Sequence, residues 1–141
     1  MANALNREGI IWAVGGSLLL FLRGRVESFN DIDIMVDEEQ AGRAAVILGN
    51  LGYELPYKPN AKFATRHFHE FSIDGVCVDL LAGFVIICDG NQYECPLKAD
   101  DIKENIEVSG AQIPLHSLSE WHRYYLLMGR NDRANQIFPN C

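Results

Sequence analysis

Lysine is scarce in this chain. Only Lys58, Lys62, Lys98 and Lys103 occur, and cations total 12 against 19 acids, for a formal charge of −7. Neutralising a polyphosphate backbone takes clustered Lys and Arg, so long nucleic acid is disfavoured as a partner. Long apolar runs are also missing. The longest, residues 80–88, includes Gly83 and is too short to cross a bilayer as a helix. Arg7 and Glu8 precede only a brief apolar stretch that stops at Gly15-Gly16, which is not the pattern of a secretory leader. The four cysteines (Cys77, Cys88, Cys95, Cys141) form no C-x-x-C pair. They read as small hydrophobes in a reducing cytoplasm rather than as disulfides or a metal site. There is no repeat and no Ser/Pro-rich linker. The 141 residues, 48% hydrophobic and 22% charged, fit one globular domain spanning 1–141, with short closing helices from about 117.

Residues 10–14 read as a buried strand that ends at Gly15-Gly16-Ser17, and 17–23 as the helix that follows. In 29–36, Ile32, Ile34 and Val36 alternate with Asp31, Asp33 and Met35, a strand with one apolar face. Asp37 is a natural N-cap, Ala41, Ala44, Ala45, Leu48 and Leu51 keep helical spacing, and Gly52 fits a C′ position. Residues 62–73 and 76–82 read as a hairpin about Asp74-Gly75. Further strands flank Asp89-Gly90-Asn91, and Ser109-Gly110 marks another turn. Ser117 to Glu120 is a capping box that opens a helix through Met128, with Gly129 as its stop and a last short helix from Asn131. The fold class is α+β: a mixed, mostly antiparallel sheet with helices on one side.

Asp31 and Asp33 lie two apart on a strand, so both carboxylates face one way. Their repulsion is relieved by a hard divalent cation, which takes oxygen ligands. Solvated alternation on an exposed strand would give the same pattern. Gly15 and Gly16 allow close backbone approach, and a helix opening at Ser17 suits phosphate oxygens, although the same residues also fit an ordinary strand-to-helix turn. Asp79 interrupts an apolar strand. If Asp74-Gly75 is a two-residue turn, Ile73 pairs with Val76, and Glu70 stands opposite Asp79. That like-charged pair points to a face that looks into a cation site. Arg66 shares the Glu70 face in strict alternation and is a candidate phosphate contact or a structural ion pair. His67 and His69 fall on the other face and read as packed, hydrogen-bonded histidines. Trp121, Tyr124 and Tyr125 keep helical spacing and read as core, with ring stacking as the alternative.

Gly15-Gly16-Ser17, a helix, Asp31-Ile-Asp33 and an isolated Asp79 in a later strand together resemble the nucleotidyltransferase superfamily with the DNA polymerase β-like palm. The match covers about residues 10–82. The stretch 117–132, ending Leu-Leu-Met-Gly-Arg-Asn-Asp, is similar to the closing helices of small bacterial antibiotic- and toxin-type members. The resemblance implies that Asp31 and Asp33 bind a pair of Mg²⁺ ions, with Asp79 as third ligand or base. It implies that Gly15, Gly16 and Ser17 hold the triphosphate of an NTP. Family members often carry Lys where this chain has Arg130 and Arg133.

The leading expectation is a cytoplasmic, Mg²⁺-dependent nucleotidyltransferase that moves an NMP from an NTP to a hydroxyl of a small molecule or protein and releases pyrophosphate. A homodimer or partner protein is the expected source of any missing cleft wall. The alternatives are a non-catalytic nucleotide-sensing or partner-binding module of the same fold, and a metal-binding structural domain without nucleotide.

Overall fold

A computed structural model describes residues 1–139; Cys141 lies outside the described residues. The chain opens with α1 (Ala2–Arg7), β1 (Trp12–Gly15), α2 (Gly16–Leu22) and β2 (Ile32–Val36). A 3-10 turn, Glu38–Gln40, leads into α3 (Ala41–Gly49) and the short β3 (Tyr53–Glu54). Then come β4 (His67–Ile73), β5 (Val76–Ala82), β6 (Val85–Cys88) and β7 (Asn91–Glu94). A second 3-10 turn, Ala99–Asp101, precedes β8 (Glu104–Val108) and β9 (Ala111–Leu115), and α4 (Leu118–Leu127) and α5 (Asn131–Ile137) close the described chain.

Seven strands form one sheet in the order β3-β4-β5-β2-β1-β9-β8. The pairs β2–β5 and β1–β9 are parallel and the others antiparallel. β6 and β7 form a separate ribbon, joined to the rest by a bridge between Phe63 and Ile86. The three hairpins turn at Asp74-Gly75, Asp89-Gly90 and Ser109-Gly110, where both residues take positive φ (52° and 78° at the first). That is the geometry of a two-residue turn whose twist matches the strands, and Asp-Gly adopts it at little cost. It fixes the β4–β5 register as anticipated, with Ile73 opposite Val76 and Glu70 opposite Asp79.

Period-two alternation gives the sheet two unlike faces. On one, Trp12, Val14, Ile34, Phe71, Val78 and Leu80 are each no more than 1% exposed. Cross-strand partners share a face, so these residues form one continuous apolar surface. α3 packs on the β4–β5 part of it and α1 lies beside α3. Each fully buried side chain of this kind stabilises the fold by about 1.5–3 kcal/mol. The other face carries Asp33, Asp79 and Glu70 in one row and the buried Ala13, Met35 and Leu81 further along the strands. α4 packs against β6 and α2, with Trp121 over Gly15. The α+β class and the mostly antiparallel mixed sheet are as expected, but the helices are not confined to a single covering layer. A row of carboxylates cannot be sealed under an apolar helix without a large desolvation cost, and Asp33 and Glu70 line a cavity at the acid end of that face.

Local signals mostly hold. Asp37 Oδ1 accepts from the Glu39 amide at 3.0 Å, and Ser117 Oγ from the Glu120 amide at 3.2 Å. Ala41, Ala44 and Leu48 form the buried stripe of α3, whereas Leu51 falls beyond the helix and is exposed. α1 is too short for periodicity to reveal, and its one buried residue is Leu5. Gly52 is not the C′ residue expected. α3 ends at Asn50 in right-handed geometry, and Gly52 lies so close to the Ser72 carbonyl that a Cβ would overlap it. Gly42, inside α3, faces open space. Gly52→Ala should therefore destabilise by more than about 1 kcal/mol, while Gly42→Ala should stabilise by up to about 1 kcal/mol through helix propensity. Denaturant unfolding of the two variants, read as opposite shifts in midpoint, checks this.

Candidate active site

The sheet registers bring four residues into one row. Gly15 pairs with Asp33, Asp33 with Asp79, and Asp79 with Glu70, across β1, β2, β5 and β4. Each lies on the face opposite the Ile34–Leu80 core. The hydrophobic neighbours along each strand lock that choice of face, because a one-residue slip would turn the acids into the core. Asp31 sits at the entry to β2, exposed, two residues before Asp33 and on the same side. Asp33 and Asp79 are thus direct neighbours across β2 and β5, with Asp31 two residues before Asp33.

Their proton affinities report the crowding. Burial pushes the Asp33 carboxyl up to about 6, with the charge of Asp31 adding to the effect and a hydrogen bond with Asp79 opposing it. Burial also pushes Asp79 up to about 8, followed by the charges of Asp33 and Glu70. Asp79 Oδ1 is buried with no hydrogen-bond partner. Such an oxygen, beside a second carboxylate, calls for a proton or a cation. Among the described residues no three His, Cys, Asp or Glu side chains are close enough to chelate an ion unaided.

Gly16 and Gly15 shape the ground beside the acids. Gly16 has φ +60°, and a Cβ there would collide with the Asp33 carboxylate. A Cβ on Gly15 would overlap the Trp121 indole. Both positions need glycine for close approach, and Gly16 also for its left-handed backbone. Ser17, in the first turn of α2, lines the same cavity as Asp31, Asp33 and Glu70.

That cavity has a volume of about 560 Å³. One wall is Trp121, Tyr125, Met128, Arg130 and Arg133 from α4, α5 and their junction, and the other is Tyr57, Lys58, Asn60, Phe63 and Thr65 from the 55–66 loop. Trp121 and Tyr125 are buried core residues, as expected, yet they also face the cavity. The loop wall was not foreseen, and residues 62–66, read as the start of a strand over 62–73, belong to it, because β4 begins only at His67. Residues 55–66 carry Pro56 and Pro59 and no hydrophobic period, and the one available signal was their length without regular structure, a common mark of a binding loop.

Arg66 is the correction. It does not line the cavity, and its guanidinium is held by Glu38 at 2.7 and 2.9 Å and by Glu94 at 2.6 Å. Strict alternation fails because Arg66 lies just before β4, bonded to the Gly83 carbonyl, and Gly83 bends there with φ +60°. Arg66 thus ties the β6–β7 ribbon to the end of β2 as a structural ion pair. The two carboxylates hold its proton more tightly, and Arg66 in turn draws the Glu38 pKa down. His67 stands 3.6 Å from Glu38, and His69 Nδ1 is 3.2 Å from Glu54 with its ring stacked on Phe71. Both belong to surface and packing contacts, as read. His116 is fully buried against Trp121 and Tyr124.

The raised carboxyl pKa values carry a stability consequence. Asp33 and Asp79 bind protons more tightly in the folded than in the unfolded chain, where the ordinary value is 3.8. The folded state then holds more protons between that value and about 8, so stability falls as pH rises through this window. In a chelator-containing buffer, Asp79→Asn should raise the melting temperature near pH 8 and leave it nearly unchanged near pH 4. A wild-type protein equally stable relative to the variant at both pH values would contradict the repulsion.

Comparison with known proteins places the fold and the family. The chain matches the Aminoglycoside-2''-adenylyltransferase family over residues 1–137. No curated protein sequence matches it. A crystal structure assigned as a nucleotidyltransferase from Thermotoga maritima is 29% identical, with a TM-score of 0.75 over 96% of this chain and 84% of that one. The antibiotic-resistance factor ANT(2'')-Ia superposes with a TM-score of 0.66 at 14% identity, covering 96% of this chain and 77% of its own. The lincosamide antibiotic adenylyltransferase LnuA, solved with lincomycin bound, gives 0.59 at 14% identity over 98% and 92%. The last two likenesses speak for the fold alone, but the family match spans nearly the whole chain: the protein has a nucleotidyltransferase fold and belongs to the Aminoglycoside-2''-adenylyltransferase family.

Proposed function

We propose that the protein is a metal-dependent nucleotidyltransferase that moves a nucleoside monophosphate from an NTP to a hydroxyl of a small molecule and releases pyrophosphate. The observation that carries the reading is the row Gly15–Asp33–Asp79 set by the strand registers, whose Asp33 lines the cavity with Ser17 and Asp31. Family membership supports it independently.

Asp31 and Asp33 are the residues that would hold Mg²⁺, with phosphate oxygens filling the remaining positions. The unpartnered Asp79 oxygen and the mutual repulsion of the acids fit such an ion. Bound Mg²⁺ supplies charge neutralisation at the reacting phosphate. Gly15 and Gly16 let the β1–α2 turn approach the triphosphate, and Ser17 offers it a hydroxyl. Arg130 and Arg133, on the same cavity wall, add positive charge. The acceptor oxygen attacks the α-phosphorus in line as the bond to the β-phosphate oxygen breaks. Asp79 is the third ligand or takes the hydroxyl proton. The contribution of the protein is positioning and charge compensation.

Small, amine-bearing acceptors suit a chain of charge −7 with carboxylates on the cavity floor. A protein hydroxyl is the second acceptor class, and long nucleic acid stays disfavoured on charge. Both cavity walls come from this chain, which supports a site worked by one copy. Among the described residues no helix is long and apolar enough to cross a membrane. We place the enzyme in the cytoplasm, where the NTP donor is held.

The test is incubation with labelled ATP, GTP, CTP or UTP, Mg²⁺ and a panel of hydroxyl acceptors. Wild type should release pyrophosphate and label one acceptor class. Asp31→Asn and Asp33→Asn should each lower turnover by at least about 100-fold with the fold intact by circular dichroism. Tight NTP binding without pyrophosphate release would identify a sensing module instead, and full turnover in both variants would remove the metal-ligand assignment.

A further inference from the structure

The two tryptophans of the chain differ in one respect. The Trp12 indole N–H donates to Asn6 Oδ1 at 2.9 Å. The Trp121 ring is 2% exposed, and its indole N–H has no partner among the described residues. Packing explains the ring but not the donor. Trp121 lies with its centroid 6.2 Å from Phe84, 5.2 Å from Tyr124 and 5.5 Å from Tyr125. Those contacts call for an aromatic ring, which a phenylalanine also supplies. A buried N–H that gives up water and gains nothing is a cost the folded chain carries.

The place of that N–H narrows what it is for. The ring edge bearing Nε1 lies against Gly15, where a Cβ would stand 2.6 Å from the nitrogen. Gly15 is the register partner of Asp33, and Trp121 lines the cavity together with Ser17, Asp31 and Asp33. An indole N–H donates and never accepts, so it serves neither a metal ion nor an ammonium group. It needs an acceptor oxygen or nitrogen. The Asp33 carboxylate is not that acceptor, since its side-chain hydrogen bond is with Asp79. The guanidiniums of the same wall are partly engaged: Asp132 holds Arg130 through two contacts of 3.1 Å, and Arg133 donates to Gln136 at 3.2 Å. A neutral donor also has an advantage beside Asp33. A lysine or arginine there would pair with the carboxylate and compete with a metal ion for it, whereas an indole leaves the acid free. The ligand oxygens that the proposed reaction brings to the Gly15 end are those of the triphosphate.

We propose that the Trp121 indole N–H donates a hydrogen bond to a phosphate oxygen of the bound nucleotide, which makes Trp121 a substrate-binding residue as well as a core residue. The assignment rests on the nucleotidyltransferase reading above and deepens it by naming a donor from α4.

The test is a proton–nitrogen NMR titration of the uniformly ¹⁵N-labelled wild-type protein, which has two indole signals, told apart with Trp12→Phe or Trp121→Phe. The probes are ATP with Mg²⁺, inorganic tripolyphosphate with Mg²⁺, and adenosine. Binding of ATP is followed independently by the melting-temperature shift it produces. The Trp121 indole proton should move downfield with ATP and with tripolyphosphate and stay in place with adenosine, while the Trp12 signal stays put throughout. Trp121→Phe keeps a ring and removes the donor, so it should weaken ATP by about 10- to 100-fold, the worth of one hydrogen bond to a charged group. Adenosine affinity should change by less than about threefold. An unchanged Trp12 indole signal shows that the variant folds, and the wild-type titration decides the matter if it does not. ATP binding that leaves the Trp121 indole signal unmoved overturns the hydrogen bond and leaves the enzyme reading standing. A shift produced by adenosine and not by tripolyphosphate overturns it too, by assigning the donor to the nucleoside. Equal ATP affinity in wild type and a folded Trp121→Phe has the same effect. Failure of wild type to bind ATP takes down the enzyme reading and this inference with it.

Discussion

The structure turns on a repulsion that the fold refuses to relieve by itself. Asp33, Asp79 and Glu70 are placed side by side on neighbouring strands, and among the described residues none of them has a salt-bridge partner. What holds them there is the opposite face of the same strands. Ile34, Val78, Leu80 and Phe71 are buried to near completeness, and each alternates with an acid position. Moving a carboxylate away by sliding its strand would drive these side chains into water at roughly 1.5–3 kcal/mol each. The sheet therefore keeps its acids in place against their mutual charge. The raised proton affinities of Asp33 and Asp79 are the trace of that standoff.

The walls of the cavity follow from the same constraint. An acid-bearing face cannot be sealed by an apolar helix, and the cavity beside it is lined by α4, α5 and the 55–66 loop. The close approach of the first wall is made by glycine. Trp121 sits where a Gly15 side chain would be, and the Asp33 carboxylate sits where a Gly16 side chain would be. Two adjacent glycines thus serve two different neighbours, one fixing the helix wall and the other admitting the carboxylate. Arg66 does comparable work further out, holding the β6–β7 ribbon through Glu94 and the end of β2 through Glu38.

Much of this was legible in the sequence where a local rule fixes geometry. Asp74-Gly75 set the β4–β5 register residue by residue, because the turn type leaves no freedom in which positions pair. The capping residues Asp37 and Ser117 marked their helix starts for the same reason. The alternation of Ile32, Ile34 and Val36 with Asp31 and Asp33 gave the face of β2. The parallel pairing of β2 with β5 is not local. Nothing within either strand says that Asp33 neighbours Asp79, and only the resemblance to a known family led to expecting it. Gly52 and Arg66 show the limit from the other side. At each, a sound local inference was overridden by a contact distant in sequence: the Ser72 carbonyl for Gly52, and Glu38 with Glu94 for Arg66.

The 55–66 loop was the hardest part to read, and the reason is physical. Function there needs side chains presented into a cavity from one flank, which requires no hydrophobic period and leaves none in the sequence. Tyr57, Lys58 and Asn60 gain their position from where the loop is anchored, at the Leu55–Glu70 backbone hydrogen bond on one side and the Phe63–Ile86 bridge on the other. Both anchors lie on strands whose registers are set elsewhere. The loop side of the cavity is thus built by tertiary fastening, whereas the Gly15 end and the acid pair Asp31 and Asp33 are built by local sequence. A fold divided in this way can keep the Gly15 end constant while the loop end varies, because changing residues between the two anchors disturbs neither the acid row nor the core beneath it.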